Sequence, residues 1–158
     1  MNEPETYRNI LTRSLVPGAP ALVWVMLNPS TADELVDDPT IRRVKRFTAN
    51  AGYHNLIVLN LFAYRATSPD DLAAAHRSGI DIVGPKNRHG QSTILDMADN
   101  TGTPVVAAWG AHKLAAYGLG LLNRPDQRWC CLGTSKAGHP RHPLYLPNAA
   151  TLVPWSTT

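Results

Sequence analysis

The chain has 158 residues, 44% of them hydrophobic and 17% charged, which suits one domain with a core of its own over residues 1–158. A net charge of +3 and a pI near 9.1 permit an anionic partner without requiring one. No run of about 18 apolar residues occurs, and MNEPETYRN at the start is polar and acidic, so no membrane span and no secretory signal are expected, and the expected compartment is the cytoplasm.

Near the N-terminus, TYRNILTR reads as an edge strand or a helix turn. ALVWVML (21–27) is a continuous apolar run, as expected of a strand covered on both faces. DDPTIRRVKRFTANAG then predicts a helix, with Asp38 as N-cap, Pro39 at the first helical position and Gly52 as terminator. Ile41, Val44, Phe47 and Ala51 recur at helical spacing and are expected to face the sheet. NLIVLNLF (55–62) predicts the second buried strand, and Ser68-Pro69-Asp70-Asp71 opens another helix by the same cap-and-proline logic. A helix from about Pro85 to Ala98, a strand TPVVAAWG (103–110), a helix from His112 to about Leu122 and a strand RWCCLG (128–133) complete the alternation. Cys130 and Cys131 are adjacent, which suits neither a disulfide framework nor a metal pair, and they read as small core residues.

Buried strands alternating with helices predict an α/β fold with a parallel sheet covered by helices on both faces and right-handed crossovers. Such sheets bind ligands beyond the carboxyl ends of their strands, where the strand order reverses. In this chain those positions carry the polar groups. They are Asn28-Pro29-Ser30-Thr31 after the first strand, and Asn60 with Phe62, Tyr64 and Arg65 at the second. The third strand leads to Trp109 and His112, and the fourth to a loop holding Lys136, His139, Arg141 and His142. Asn60 is the sharpest of these, because an amide inside an apolar strand must find several hydrogen-bond partners. Arg42, Arg43, Lys45 and Arg46 form a basic cluster that is either a solvated helix face or a phosphate contact. No metal or cofactor is expected, since there is no HExxH, no Cys/His ligand set, no phosphate loop, no GxGxxG after a strand and no GxSxG elbow.

Taken together, MLNPSTAD, DDPTIRR, VLNLFAYRAT, AAWGAH and GHPRHPLYL resemble a bacterial and phage family of unassigned function, domain of unknown function 1643. The order of motifs also resembles, more distantly, the uracil-DNA glycosylase superfamily. That resemblance implies a three-layer α/β/α sandwich around a four-stranded parallel sheet. MLNPS is similar to that superfamily's GINPG water-positioning motif, with Asn28 on the amide. VLNLF is similar to its LLLN-type strand, with Asn60 on the residue that reads the base. AAWGAH is similar to its LLWG, and GHPRHPLY to its HPSP-type loop, with His142 favoured over His139 for the histidine that steadies the leaving base. The aspartate of the GQDPY branch and the HPSP serine have no counterpart here.

The resemblance implies a protein that acts on, or binds, a flipped base, with hydrolysis of the N-glycosidic bond as the reaction. Asn28 and His142 would carry the chemistry. Asn60, Ser30, Thr31, Trp109 and His139, with Phe62 or Tyr64 as the stacking aromatic, would hold the base. Lys136, Arg141, Arg42 and Arg43 would hold phosphates. The expected partner is DNA or a nucleotide, with no membrane and no obligate protein partner. The alternative is a non-catalytic nucleotide- or nucleoside-binding domain.

Overall fold

The computed structural model describes residues 6–33 and 35–157. The stretch read as lacking a secretory signal lies outside them as far as Glu5. Among the described residues the fold is a mixed α/β arrangement of one six-stranded sheet and four α-helices. The strands are β1 (Ile10–Ser14), β2 (Ala21–Met26), β3 (Asn55–Asn60), β4 (Val105–Ala107), β5 (Trp129–Cys131) and β6 (Val153–Trp155). The helices are α1 (Pro39–Asn50), α2 (Pro69–Arg77), α3 (Asn87–Thr101) and α4 (Leu114–Leu122), with a 3₁₀ turn at Pro143–Tyr145. No helix among the described residues is long and apolar enough to cross a membrane.

The sheet order is β1-β3-β2-β4-β5-β6. β2 pairs in parallel with β3 (Val23 opposite Ile57) and with β4 (Val23 opposite Val105), and β4 pairs in parallel with β5. β1 and β6 are antiparallel edges, against β3 and β5. The N-terminal stretch is thus a strand, not a helix turn. β6 was not anticipated: it is short and contains Pro154, which only an edge or an irregular position tolerates.

β2 shows why its sequence alternates nothing. Val23 and Val25 belong to one core cluster with residues of α2, α3 and α4, such as Leu72, Leu95 and Leu114. Leu22, Trp24 and Met26 belong to a second cluster with Ile41, Val44 and Phe47 of α1. Both faces of one strand are covered, so every position must be apolar. The helix starts follow their caps. The Asp38 carboxylate accepts from the Ile41 N–H at 2.8 Å with Pro39 behind it, and the Ser68 hydroxyl accepts from the Asp71 N–H at 3.2 Å ahead of α2. The one polar group in the α1 core face, Thr48, accepts from the Trp24 indole N–H at 3.0 Å and donates to the Val44 carbonyl at 2.7 Å. Both cysteines are free, and burial pushes the Cys130 thiol up to about 11.

β4 and β5 are shorter than the sequence pattern implies. Past Ala107 the chain keeps one ladder bond, from Ala108 N–H to Val25 C=O at 2.9 Å, and then leaves the sheet at Trp109. Gly110 takes a left-handed conformation with φ 79°, and its N–H bonds the Pro140 carbonyl at 3.0 Å.

Helix α4 carries two glycines in opposite situations. A Cβ at Gly118 would stand 2.9 Å from the Leu61 Cβ and 3.1 Å from the Phe62 ring, whereas a Cβ at Gly120 would meet nothing within 4 Å. Gly118→Ala should therefore destabilise the fold by about 1–3 kcal/mol through overpacking. Gly120→Ala should stabilise it by about 0.5–1 kcal/mol through backbone entropy. Urea unfolding of the two variants beside the wild type reads both signs.

Candidate functional site

Leaving β2, the chain passes through α1 to β3 on one side of the sheet. Leaving β4, it passes through α4 to β5 on the other. α1 packs in one core cluster and α4 in the other. Between the carboxyl ends of β2 and β4 the two connections part, and a crevice opens there by topology alone. It is a cavity of about 390 Å³, within the range of roughly 300–1,000 Å³ usual for small-molecule sites.

Seven of the polar or aromatic side chains singled out at the strand ends line this cavity: Asn28, Ser30, Thr31, Asn60, Trp109, His112 and His142. The others do not. Phe62 is fully buried in the core and stacks on Tyr117, and Tyr64 packs edge-on against Tyr7. Thr134 and Pro140 pair across the loop after β5, so Lys136 and His139 fall on its exposed outer part while His142 lies at its base. Arg141 donates to the Tyr145 carbonyl at 2.6 Å. Arg42 is exposed and donates to the Asp37 carbonyl at 3.2 Å. Arg43 lies over the Phe47 ring and donates to the Pro143 and Leu146 carbonyls and to the Asn148 side chain, tying α1 to the segment that carries His142.

Sequence reasoning missed other lining residues, chiefly Arg8, Leu144 and Tyr145, and gave Asp38 no place in the site. Asp38 was legible as a helix cap, which it is, but its second oxygen accepts from the Ala32 N–H at 3.2 Å and the residue also faces the crevice. Leu144 and Tyr145 are 40% and 73% exposed, so the cavity has an apolar and aromatic rim. Tyr145 brings an aromatic ring to the rim, whereas Phe62 and Tyr64 do not line the cavity.

The two asparagines of β3 differ sharply. Asn55, at the start of the strand, has its oxygen occupied by Ser14, Leu15 and Val16 and its nitrogen by the Val16 and Ala19 carbonyls. It is a satisfied structural amide holding a turn. Asn60, at the end that opens on the cavity, is 1% exposed, and its side-chain nitrogen has no partner. Its main-chain carbonyl is clamped by the Asn87 and Gln91 amides from α3. Asn87 also keeps an unpartnered oxygen, but it does not line the cavity. An unpaired buried amide costs roughly 1–3 kcal/mol, a cost that a ligand removes by supplying the acceptor.

Asn28 donates to the Pro29 and Ala66 carbonyls, both at 3.0 Å. With its nitrogen so committed, its oxygen remains as the acceptor. His142 accepts from the Leu144 N–H at Nδ1, at 3.2 Å. The neutral ring therefore carries its proton on Nε2. Burial holds His142 below its ordinary range, with Asp38 opposing, so the neutral donor form persists at neutral pH. His112 is oriented in the same way, by the Leu114 N–H at 3.2 Å, and its Nε2 lies 3.8 Å from Asp70.

Against known proteins, residues 8–144 match the family model described as "Protein of unknown function (DUF1643)". No curated protein and no solved structure matches the chain.

The burial of His142 has a consequence for stability. The unfolded chain titrates this residue near 6.5 and the folded chain lower, so between those values the unfolded state binds more protons. Stability is full above 6.5 and should fall as the pH drops through that value. His142→Gln should flatten this part of the profile without touching the acid limb below 3.8, where Asp33 and Asp37 are held low by hydrogen bonds. Urea midpoints taken from pH 7.5 to 4.5 check the sign, and an NMR titration of the ring should give a midpoint below 6.5.

Proposed function

Because the chain belongs to the DUF1643 family, to which no function is assigned, we propose its activity from the cavity itself: it receives a single extruded nucleobase and hydrolyses the N-glycosidic bond that holds it. The observation that carries this reading is the Asn60 side-chain amide, buried and without an acceptor in the lining of the crevice, on a residue whose main-chain carbonyl is held by α3. In the same reading the sheet and its helices form the three-layer α/β/α sandwich of the uracil-DNA glycosylases. Support comes from the parallel β3-β2-β4-β5 pairings and from the two separate core clusters.

The roles follow from which atoms are free. Asn60 donates to an acceptor on the base edge. Tyr145 and Leu144 at the rim give the base or its neighbours an apolar face. Asn28 accepts from a water and holds it against the sugar, with Ser30 and Thr31 beside it. The water oxygen bonds to C1′, the C1′–N bond breaks, and its electron pair moves into the base. The base then takes up the proton that the water sheds. As the bond breaks, positive charge grows on the sugar and negative charge on the base. The Nε2–H of His142 is a neutral donor to the latter, and Asp38 is the one carboxylate in the described lining to answer the former.

One observation favours a version that takes free nucleosides or nucleotides over a reader of duplex DNA. The basic cluster expected to hold phosphates is not gathered at the cavity, since Arg43 is occupied by the 143–148 segment and Lys136 lies apart. A duplex reader needs such a stripe.

The test is a strand-cleavage assay with single-stranded and duplex oligonucleotides carrying uracil, mismatches or modified bases, followed by hot alkali, beside a release assay on free nucleosides. One substrate should yield free base. Asn60→Ala and His142→Ala should each lower the rate by about 10²–10³-fold, the usual loss for one donor to developing charge. Base release that survives both substitutions would overturn the assignment.

A further inference from the structure

Arg8 is the most confined cation described beside the cavity. It lines the crevice and is only 8% exposed. It reaches the site because β1 runs antiparallel to β3, which brings the start of β1 to the carboxyl end of β3, where the Arg8 N–H bonds the Ala63 carbonyl at 2.9 Å. Its guanidinium donates to the Ala32 carbonyl, and its buried Nε–H has no acceptor. Arg65 donates to the same carbonyl at 3.3 Å, so two guanidinium groups converge on one neutral oxygen.

Asp38 and Asp33 lie near enough to favour this charge, but neither forms an ion pair with Arg8. Asp38 spends its oxygens on the Ile41 and Ala32 amides, and Asp33 spends one on Leu35 and Val36. Asp37 is paired with Arg13 and Lys45. No described carboxylate lies within ion-pair distance of Arg8. Burial, with Arg65 next and Asp38 and Asp33 opposing, pushes the Arg8 guanidinium down to about 10, which still leaves it charged at neutral pH. A buried cation of this kind is costly unless an anion completes it, and a guanidinium with open donors matches the oxygens of a phosphate.

We infer that Arg8 is an anion-binding residue of the cavity, and that the ligand carries a phosphate beside its base. This rests on the base-binding reading and narrows the substrate from a nucleoside to a nucleotide unit. The phosphate belongs either to a free mononucleotide or to the strand from which a base is extruded, and Arg8 serves both alike.

The experiment measures binding to the full chain by calorimetry and thermal shift. The probes are deoxynucleosides, their 5′-monophosphates, a short single-stranded oligonucleotide and inorganic phosphate. The wild type should bind one monophosphate, or the oligonucleotide, roughly ten- to a hundredfold tighter than the nucleoside, as expected of hydrogen bonds to a charged group. Arg8→Gln should erase that preference while leaving nucleoside affinity in place, and Arg8→Lys should recover part of it. A mononucleotide preference identifies the free ligand, and an oligonucleotide preference identifies the strand. Equal binding of nucleoside and monophosphate by the wild type would overturn the inference and leave the base pocket standing, and that comparison decides even if Arg8→Gln fails to fold. An Arg8-dependent response to inorganic phosphate with no response to any nucleoside would keep the anion site and overturn the base pocket. No response to any probe would overturn both.

Discussion

The rest of the molecule depends on β2 being covered everywhere. Its main chain is paired with a strand on each side, and its side chains meet helices on each face. Inside a strand so enclosed a polar side-chain group needs a built-in partner, as Thr48 is for the Trp24 indole N–H. Polar chemistry is thereby displaced to the place where the strand ends, and at that place the chain departs one way from β2 and the other way from β4. The crevice and its polar lining therefore arise from the same packing requirement. Asn28, two residues beyond the strand, is the first side chain able to use an amide.

What could be read in advance follows from how local its cause is. The caps of α1 and α2 are set by four consecutive residues each, and both form as their sequences dictate. The runs of β2 and β3 needed only double burial to be recognised. The early exit of β4 is different, because it depends on the Gly110 N–H reaching Pro140, thirty residues away in the chain and invisible to any local pattern. The same holds for Arg8. Nothing in TYRNILTR marks it, yet an antiparallel edge strand necessarily begins where its parallel neighbour ends. Had the direction of that edge been inferred, Arg8 would have fallen among the strand-end residues. Phe62 illustrates the converse. It stands two positions past Asn60, on the sheet's own periodicity, but the chain has already left β3 and its ring turns into the core against α4.

The site is built chiefly from main-chain tethers. Asn28 is held by carbonyls, both ring-oriented histidines by backbone N–H groups, and Asn60 through its own carbonyl. For Asn28 and the two histidines the tether uses one end of a bifunctional side chain and leaves the other end facing a known direction with a known sign. Acceptor and donor are thus fixed by the fold itself.

Arg43 extends this principle to the loop as a whole. It reaches the 143–148 segment chiefly through carbonyl oxygens, which every amino acid possesses, with the Asn148 side chain as its only sequence-dependent handle there. Within that segment Pro143 and Leu146 are buried, Leu146 in the core cluster of α1, whereas Leu144 and Tyr145 are exposed. Position 144, on the rim, can change in size and polarity while the anchored backbone keeps His142 where it is, whereas the Tyr145 ring also meets the His142 ring, with centroids 5.8 Å apart. Size and polarity at position 144 are in this way uncoupled from the geometry of His142.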